Sequence, residues 1–142
     1  MDSLALSPSS IVPLRILLVD DHEKVRKQIR TRLSREPDLE IVAEAISGTD
    51  AAEQALSLQP EIVIIDPAMR DGLGLEAVRQ VFAGAPGAAI LVLSACLDTA
   101  SRIELRQAGV CRFVNKELQS TALVANLREM GQELRSYPVP LL

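Results

Sequence analysis

The sequence predicts an α/β fold: a doubly wound, five-stranded parallel sheet of strand order 2-1-3-4-5 with helices on both faces. Two observations lead there. Short apolar runs alternate with amphipathic stretches from residue 15 to about residue 134, and repeated βα units make a parallel sheet covered by helices. Three of the five runs are apolar on consecutive residues, as strands buried on both faces are, while the other two carry charges.

The strand-length runs are Arg15–Val19, Leu39–Ala45, Ile62–Ile65, Ala89–Leu93 and Arg112–Asn115, each rich in Ile, Val or Leu. Ile16–Val19, Ile62–Ile65 and Ile90–Leu93 are the uninterrupted ones and belong in the centre. Glu40, Glu44, Arg112 and Asn115 mark the second and fifth runs as edges. Central 1, 3 and 4 with edges 2 and 5 is one of the two common doubly wound orders. Helical spacing fills the intervals: Val25, Ile29 and Leu33; Leu75, Val78 and Phe82; and, behind an expected cap at Ser120, Leu123, Leu127, Met130 and Leu134. The Gly-, Ala- and Pro-rich stretch Ala83–Ala89 reads as a turn region.

The chain has 142 residues, one domain's worth, and enough to bury a core without disulfides or a structural metal. Residues 15–135 form the expected domain. Residues 1–14 are a Ser- and Pro-containing flexible arm, and residues 136–142 a tail or the start of a linker, because prolines stop the helix there. Hydrophobic residues make up 48% and charged residues 24%, an ordinary globular composition. Aromatics are 2%, so the core is aliphatic and no platform exists for stacking bases. Fifteen Lys and Arg against nineteen Asp and Glu give a net charge of −4, which argues against direct nucleic-acid binding. Cys96 and Cys111 lack metal-type spacing and read as free thiols. Residues 1–14 have no basic start and are broken by Pro8 and Pro13, a poor signal peptide. No segment approaches the ~18–20 apolar residues that span a bilayer, so a cytoplasmic location is expected.

In open α/β sheets, ligands bind beyond the carboxyl ends of the strands. Strand 1 ends in Asp20 and Asp21, strand 3 in Asp66, strand 4 in Ser94 and strand 5 in Lys116. Any one of these is ordinarily a helix cap or a solvated loop residue; all five on one edge are not explained that way. Carboxylates about 4 Å apart repel by roughly 4 kcal/mol per pair at an effective dielectric near 20. Such a group takes up protons or binds a cation, and oxygen-only ligands completed by water and phosphate suit Mg²⁺. Lys116 and Ser94 offer donors to phosphoryl oxygens, and a carboxylate can itself be a nucleophile that forms an acyl phosphate. The constellation reads as a Mg²⁺-assisted phosphoryl acceptor.

At these residues the chain resembles the receiver domain of two-component response regulators, over about 119 of the 142 residues. The resemblance is carried by Ile16-Leu-Leu-Val-Asp-Asp-His22, Ile62-Val-Ile-Ile-Asp-Pro-Ala-Met69 with Gly74 eight residues after Asp66, Val92-Leu-Ser94, and Phe113-Val-Asn-Lys116. Asp20-Asp21-His22, and a Lys116 not followed by Pro, are most similar to the subfamily whose full-length members carry a helix-turn-helix output; no output domain is expected after Leu134. The resemblance implies a flavodoxin-like fold. It implies that Asp66 accepts the phosphoryl group from a phosphohistidine and that Asp21, Asp66 and the Ala68 carbonyl ligate Mg²⁺, with Asp20 acting mainly through water. It further implies that Ser94 and Lys116 contact the phosphoryl oxygens, and that Ser94 is coupled to rotation of Phe113, which relays the state to the helix 4–strand 5–helix 5 surface. The implied partners are a sensor histidine kinase, a histidine phosphotransfer protein, or a second copy of the chain.

Three departures from the family pattern stand out. Arg70 replaces the usual Pro after Met69, with the expectation that it loosens the loop or reaches the phosphate; Pro67 directly after Asp66 biases Asp66 towards an extended backbone; and Arg112 replaces a common Gly. None removes a chemical group. His22 reads as a solvated residue at the start of helix 1, and Arg26, Lys27, Arg30, Arg32 and Arg35 as a solvated basic face, with docking of an acidic partner as the functional alternative. The expected activity is a phosphorylation-dependent switch rather than a turnover enzyme. Its alternative is a degenerate receiver used only for protein interaction or dimerisation. A flavin-binding protein is rejected because Asp20 and Asp21 would repel phosphate. A phosphohydrolase is disfavoured because strand 1 lacks an Asp-x-Asp pattern.

Overall fold

The computed structural model describes residues 12–116 and 120–136. The expected arm lies mostly in residues 1–11, and all of the tail but Ser136 in residues 137–142, outside the described residues. The elements run β1 Leu14–Val19, α1 Glu23–Leu33, β2 Leu39–Ala45, α2 Gly48–Leu58, β3 Ile62–Ile65, α3 Gly74–Gly84, β4 Ala89–Ser94, α4 Thr99–Ala108, β5 Val110–Asn115 and α5 Ser120–Ser136. β1 therefore opens at Leu14, which is buried, and α5 runs through Ser136. The sheet has the order β2-β1-β3-β4-β5, and its pairings are parallel.

Side-chain alternation along the central strands divides the core in two. Leu17, Val19, Val63, Ile65, Ile90 and Val92 pack with Ala51, Ala55, Ala77, Val78, Val81 and Leu105 of α2, α3 and α4. Ile16, Leu18, Ile62, Ile64, Leu91 and Leu93 face the other way, against Ile29 and Leu33 of α1 and Leu123, Val124, Leu127 and Met130 of α5. Both faces are covered, which is why β1, β3 and β4 read as uninterrupted apolar runs.

Three details depart from the sequence reading. β5 starts at Val110, two residues early, and the register passes from Ile90–Val110 to Leu91–Arg112, leaving Cys111 as the extra residue of a bulge. The other edge strand does the same at Val42, between the pairs Ile16–Ile41 and Leu17–Ala43; bulges concentrate at sheet edges. Phe82, expected on the core face of α3, is 41% exposed. Its ring lies against Gly109, where a Cβ would come within 2.6 Å of it at a φ of +123°. Ser120 opens α5, but its side chain lies outside the described residues.

Candidate functional site

The carboxyl ends of β1, β3 and β4 deliver Asp20, Asp66 and Ser94, which are the buried polar or charged side chains among the described residues. Their backbones are held by the sheet: the Asp66 N–H donates to the Val19 carbonyl at 3.1 Å, and the Lys116 N–H to the Ser94 carbonyl at 2.8 Å. Burial of two carboxylates at one edge demands compensation, and Lys116 supplies it. Its ammonium donates to Asp66 Oδ2 and lies 3.3 Å from Asp20 Oδ2. Burial works against the Lys116 charge, yet the hydrogen bond to Asp66 and the charges of Asp20 and Asp66 hold its pKa above the usual lysine value. The remaining oxygens are partnered locally. Asp66 Oδ1 accepts from the Ala68 N–H at 2.8 Å, and Asp20 Oδ1 from the His22 N–H at 2.8 Å.

Asp21 is the exception. Its Oδ2 accepts from the Arg70 N–H at 2.8 Å, across 49 positions of sequence, whereas its buried Oδ1 has no hydrogen-bond partner. His22 Nδ1 lies 2.9 Å from that oxygen and 2.8 Å from Asp20 Oδ1. One ring nitrogen carries at most one proton, and the hydrogen-bonding geometry is met at Asp20. An enclosed carboxylate oxygen with no donor, beside the buried carboxylate of Asp20, fits a hard divalent cation such as Mg²⁺. Asp20, Asp21 and His22 present ligand atoms within 4.8 Å of one another.

The loop after β3 shapes the rest. Met69 is buried in the core, and the Gly72 N–H returns to its carbonyl at 3.0 Å to close a turn. Gly74 then passes so near Pro67 that a Cβ would lie 1.7 Å from the Pro67 carbonyl oxygen. This close approach gives the physical reason for glycine eight residues after Asp66. The Arg70 side chain is exposed, and the loop engages the site through the Arg70 backbone. On the far side of Ser94, a cavity of about 160 Å³ is lined by Ser94, Cys96, Leu97, Arg102 and Phe113. Half-buried Phe113 carries the guanidiniums of Arg102 and Arg106 over its ring, 5.5 and 5.1 Å from the centroid, a cation–π arrangement.

The sequence-predicted residues Asp20, Asp21, Asp66, Ser94 and Lys116 thus all lie at one sheet edge. Two expectations are corrected. His22 is not simply solvated: its side chain is 37% exposed and its ring sits between Asp20 and Asp21. The basic face of α1 is partly consumed internally, because Arg26 and Arg30 both reach Glu44 of β2 and Arg32 reaches Glu36. The hydrogen bond from Arg30 holds Glu44 below the usual carboxylate pKa. Cys96 and Cys111 are free, as expected, and both are exposed. Arg112 is bound to α5 through Asn126, Glu129 and Glu133. Sequence reasoning missed the Arg70 N–H and the paired arginines over Phe113; the i, i+4 spacing of Arg102 and Arg106 was the signal available for the latter.

A doubly wound sheet with three carboxylates, a hydroxyl and an ammonium at its carboxyl edge defines a class, and comparison with known proteins names it. The chain belongs to the response regulator receiver domain family, whose model matches residues 16–128. The response regulator protein VraR of Staphylococcus saprophyticus is 31% identical over 118 residues, covering 83% of this chain and 56% of VraR. The transcriptional regulatory protein LiaR of Bacillus subtilis is 29% identical over 115 residues, covering 81% of this chain and 54% of LiaR. The chain spans about half the length of the curated relatives it matches. Among solved structures, a LuxR-family two-component response regulator from Aurantimonas sp. SI85-9A1 is 29% identical with a TM-score of 0.74, covering 88% of this chain and 97% of that one. A CheY-like receiver domain protein from Methanospirillum hungatei JF-1 reaches a TM-score of 0.80 at 17% identity, covering 88% of this chain and 98% of that one, a likeness of fold alone. No helix among the described residues is long and apolar enough to cross a membrane.

Proposed function

We propose that this receiver domain is a phosphorylation-dependent switch in which Asp66 accepts a phosphoryl group from the phosphohistidine of a sensor kinase or phosphotransfer protein. An Asp66 oxygen attacks phosphorus, an acyl phosphate forms, and the P–N bond to the donor imidazole breaks. The observation that carries this reading is the Lys116 ammonium shared by the buried carboxylates of Asp66 and Asp20. That contact supports the reading, because an ammonium beside the proposed acceptor would stabilise the negative charge that phosphoryl oxygens gain. Asp21, Asp66 and the Ala68 carbonyl would hold Mg²⁺ directly, with Asp20 acting through water. Bound Mg²⁺ would neutralise charge on the transferring group. Ser94 donates its hydroxyl to a phosphoryl oxygen, giving up its long, 3.5 Å contact with the Cys96 carbonyl. Movement of Ser94 opens or closes the cavity it shares with Phe113, and Phe113 carries the change to α4, β5 and α5. This is a two-state element biased by local charge.

Intact-mass spectrometry after incubation with Mg²⁺ and acetyl phosphate tests the reading. One added phosphoryl group is expected, lost in Asp66→Asn and in a chelator. No adduct, together with no beryllofluoride complex and no Mg²⁺ binding, would refute it and leave a phosphorylation-independent interaction module.

A further inference from the structure

We infer that the peptide N–H of Arg70 is a positioning group for the cation site, fixing Asp21 so that its buried Oδ1 stays free to take a divalent ion. The inference rests on the Mg²⁺ site proposed above and concerns a residue there given no role. Three observations converge on it. The Arg70 N–H donates to Asp21 Oδ2 at 2.8 Å. The other oxygen of the same carboxylate is buried and has no hydrogen-bond partner. The loop that brings the N–H is itself immobilised, at one end by buried Met69, at the other by Gly74 pressed on Pro67, and in between by the Gly72 N–H bonded to the Met69 carbonyl.

A carboxylate turns readily about its terminal torsion, and an unheld Asp21 would divide its time among orientations that include His22 and solvent. The Arg70 N–H binds one oxygen of Asp21 and thereby selects the orientation of the other. The charge-assisted bond is made before the ion arrives, so the ordering cost is not met at binding. The link also crosses elements. Asp21 lies just past β1, whereas Arg70 lies past Asp66 in the loop after β3, so the hydrogen bond sets the spacing between the ion's expected ligands. The guanidinium has no part in this: it is the backbone of residue 70 that acts.

That separation makes the test sharp. Met69–Gly72 is a four-residue turn closed by its own hydrogen bond, with Arg70 at the second position, where proline is favoured. Arg70→Pro therefore removes the N–H from a backbone suited to proline, whereas Arg70→Ala keeps the N–H and removes the guanidinium. Binding of Mn²⁺, as a paramagnetic substitute for Mg²⁺, is measured by electron paramagnetic resonance on unphosphorylated protein. Arg70→Pro should weaken binding about 10-fold, the scale of one hydrogen bond to a charged group, while Arg70→Ala stays within about twofold of wild type. Equal affinity in Arg70→Pro and wild type would overturn the inference alone. Wild-type protein that binds no Mn²⁺ would overturn the cation site of the proposed function and this inference with it. A second measurement does not depend on the proline variant folding: in ¹⁵N-labelled protein, Asp21→Ala should move the Arg70 amide proton upfield, and an unmoved resonance overturns the hydrogen bond itself.

Discussion

Replacing Lys116 by Met leaves a side chain of similar length in place and withdraws the ammonium that bridges Asp20 and Asp66. Those carboxylates are 2% and 5% exposed, and the Lys116 side chain is 21% exposed, so the charges are largely but not wholly shielded from water. Breaking a buried ion pair from one side costs about 3–5 kcal/mol. Partial exposure of the lysine places this case near about 3 kcal/mol, which for a domain of this size lowers Tm by roughly 10 °C. Circular-dichroism melts at neutral pH in a chelator should show that drop. Mg²⁺ should then stabilise Lys116→Met more than wild type, because the ion supplies the charge that the variant lacks. Adding Asp66→Asn to Lys116→Met should recover part of the loss, since one of the two repelling carboxylates is gone. The pH dependence has a definite sign. The folded-state pKa of Lys116 is raised, so its stabilisation is fully present below the unfolded lysine value of about 10.4 and is lost as pH rises through the higher folded value. The gap between wild type and variant should therefore hold through neutral pH and close only in strong alkali. Chelator melts within about 2 °C of each other, or equal Mg²⁺ stabilisation of both proteins, would refute the reasoning.

Other predictions follow from single contacts. Gly74→Ala drives a Cβ to 1.7 Å from a backbone oxygen and should cost about 3 kcal/mol or more in urea unfolding, whereas Gly87→Ala, facing open space, should stay within about 0.5 kcal/mol of wild type. Arg128 bridges α5 to Glu36 and Asp38, and its hydrogen bond holds Asp38 below the usual carboxylate pKa. That contribution exists above the unfolded Asp value of about 3.9 and disappears as pH falls through the lower folded value. Arg128→Ala should accordingly flatten the acid limb of stability against pH, and an unchanged limb would remove Asp38 from the account. Native-state alkylation should label both Cys96 and Cys111, because both thiols are exposed; a single adduct would contradict the described surface.

Most of the architecture was legible because the burial of each strand dictates its composition. Ile62–Ile65 and Ile90–Val92 face helices on both sides and could not carry a charge, while Glu44 and Arg112 lie on edge strands where arginines and α5 partner them. The edge bulges at Val42 and Cys111 were hidden, because one extra residue in a strand changes register without changing composition. Phe82 was misplaced for a related reason. Helical periodicity assigns a face, but that face extends past the core near the end of α3, and the ring found Gly109 instead.

The candidate site divides along a different line. Asp20, Asp21, Asp66, Ser94 and Lys116 announce themselves by side-chain chemistry at strand ends, and they converge. His22 and Arg70 do not. His22 matters through where its ring falls between two carboxylates, which depends on the way the chain leaves β1. Arg70 matters through an N–H that every residue except proline possesses, so its informative property is only that it is not proline. The exposed guanidinium drew attention to the right position for the wrong atom. Side-chain identity therefore locates the groups that would meet phosphate and metal, while the groups that hold them in place are written in the backbone and become visible only once the β3–α3 loop is folded against β1.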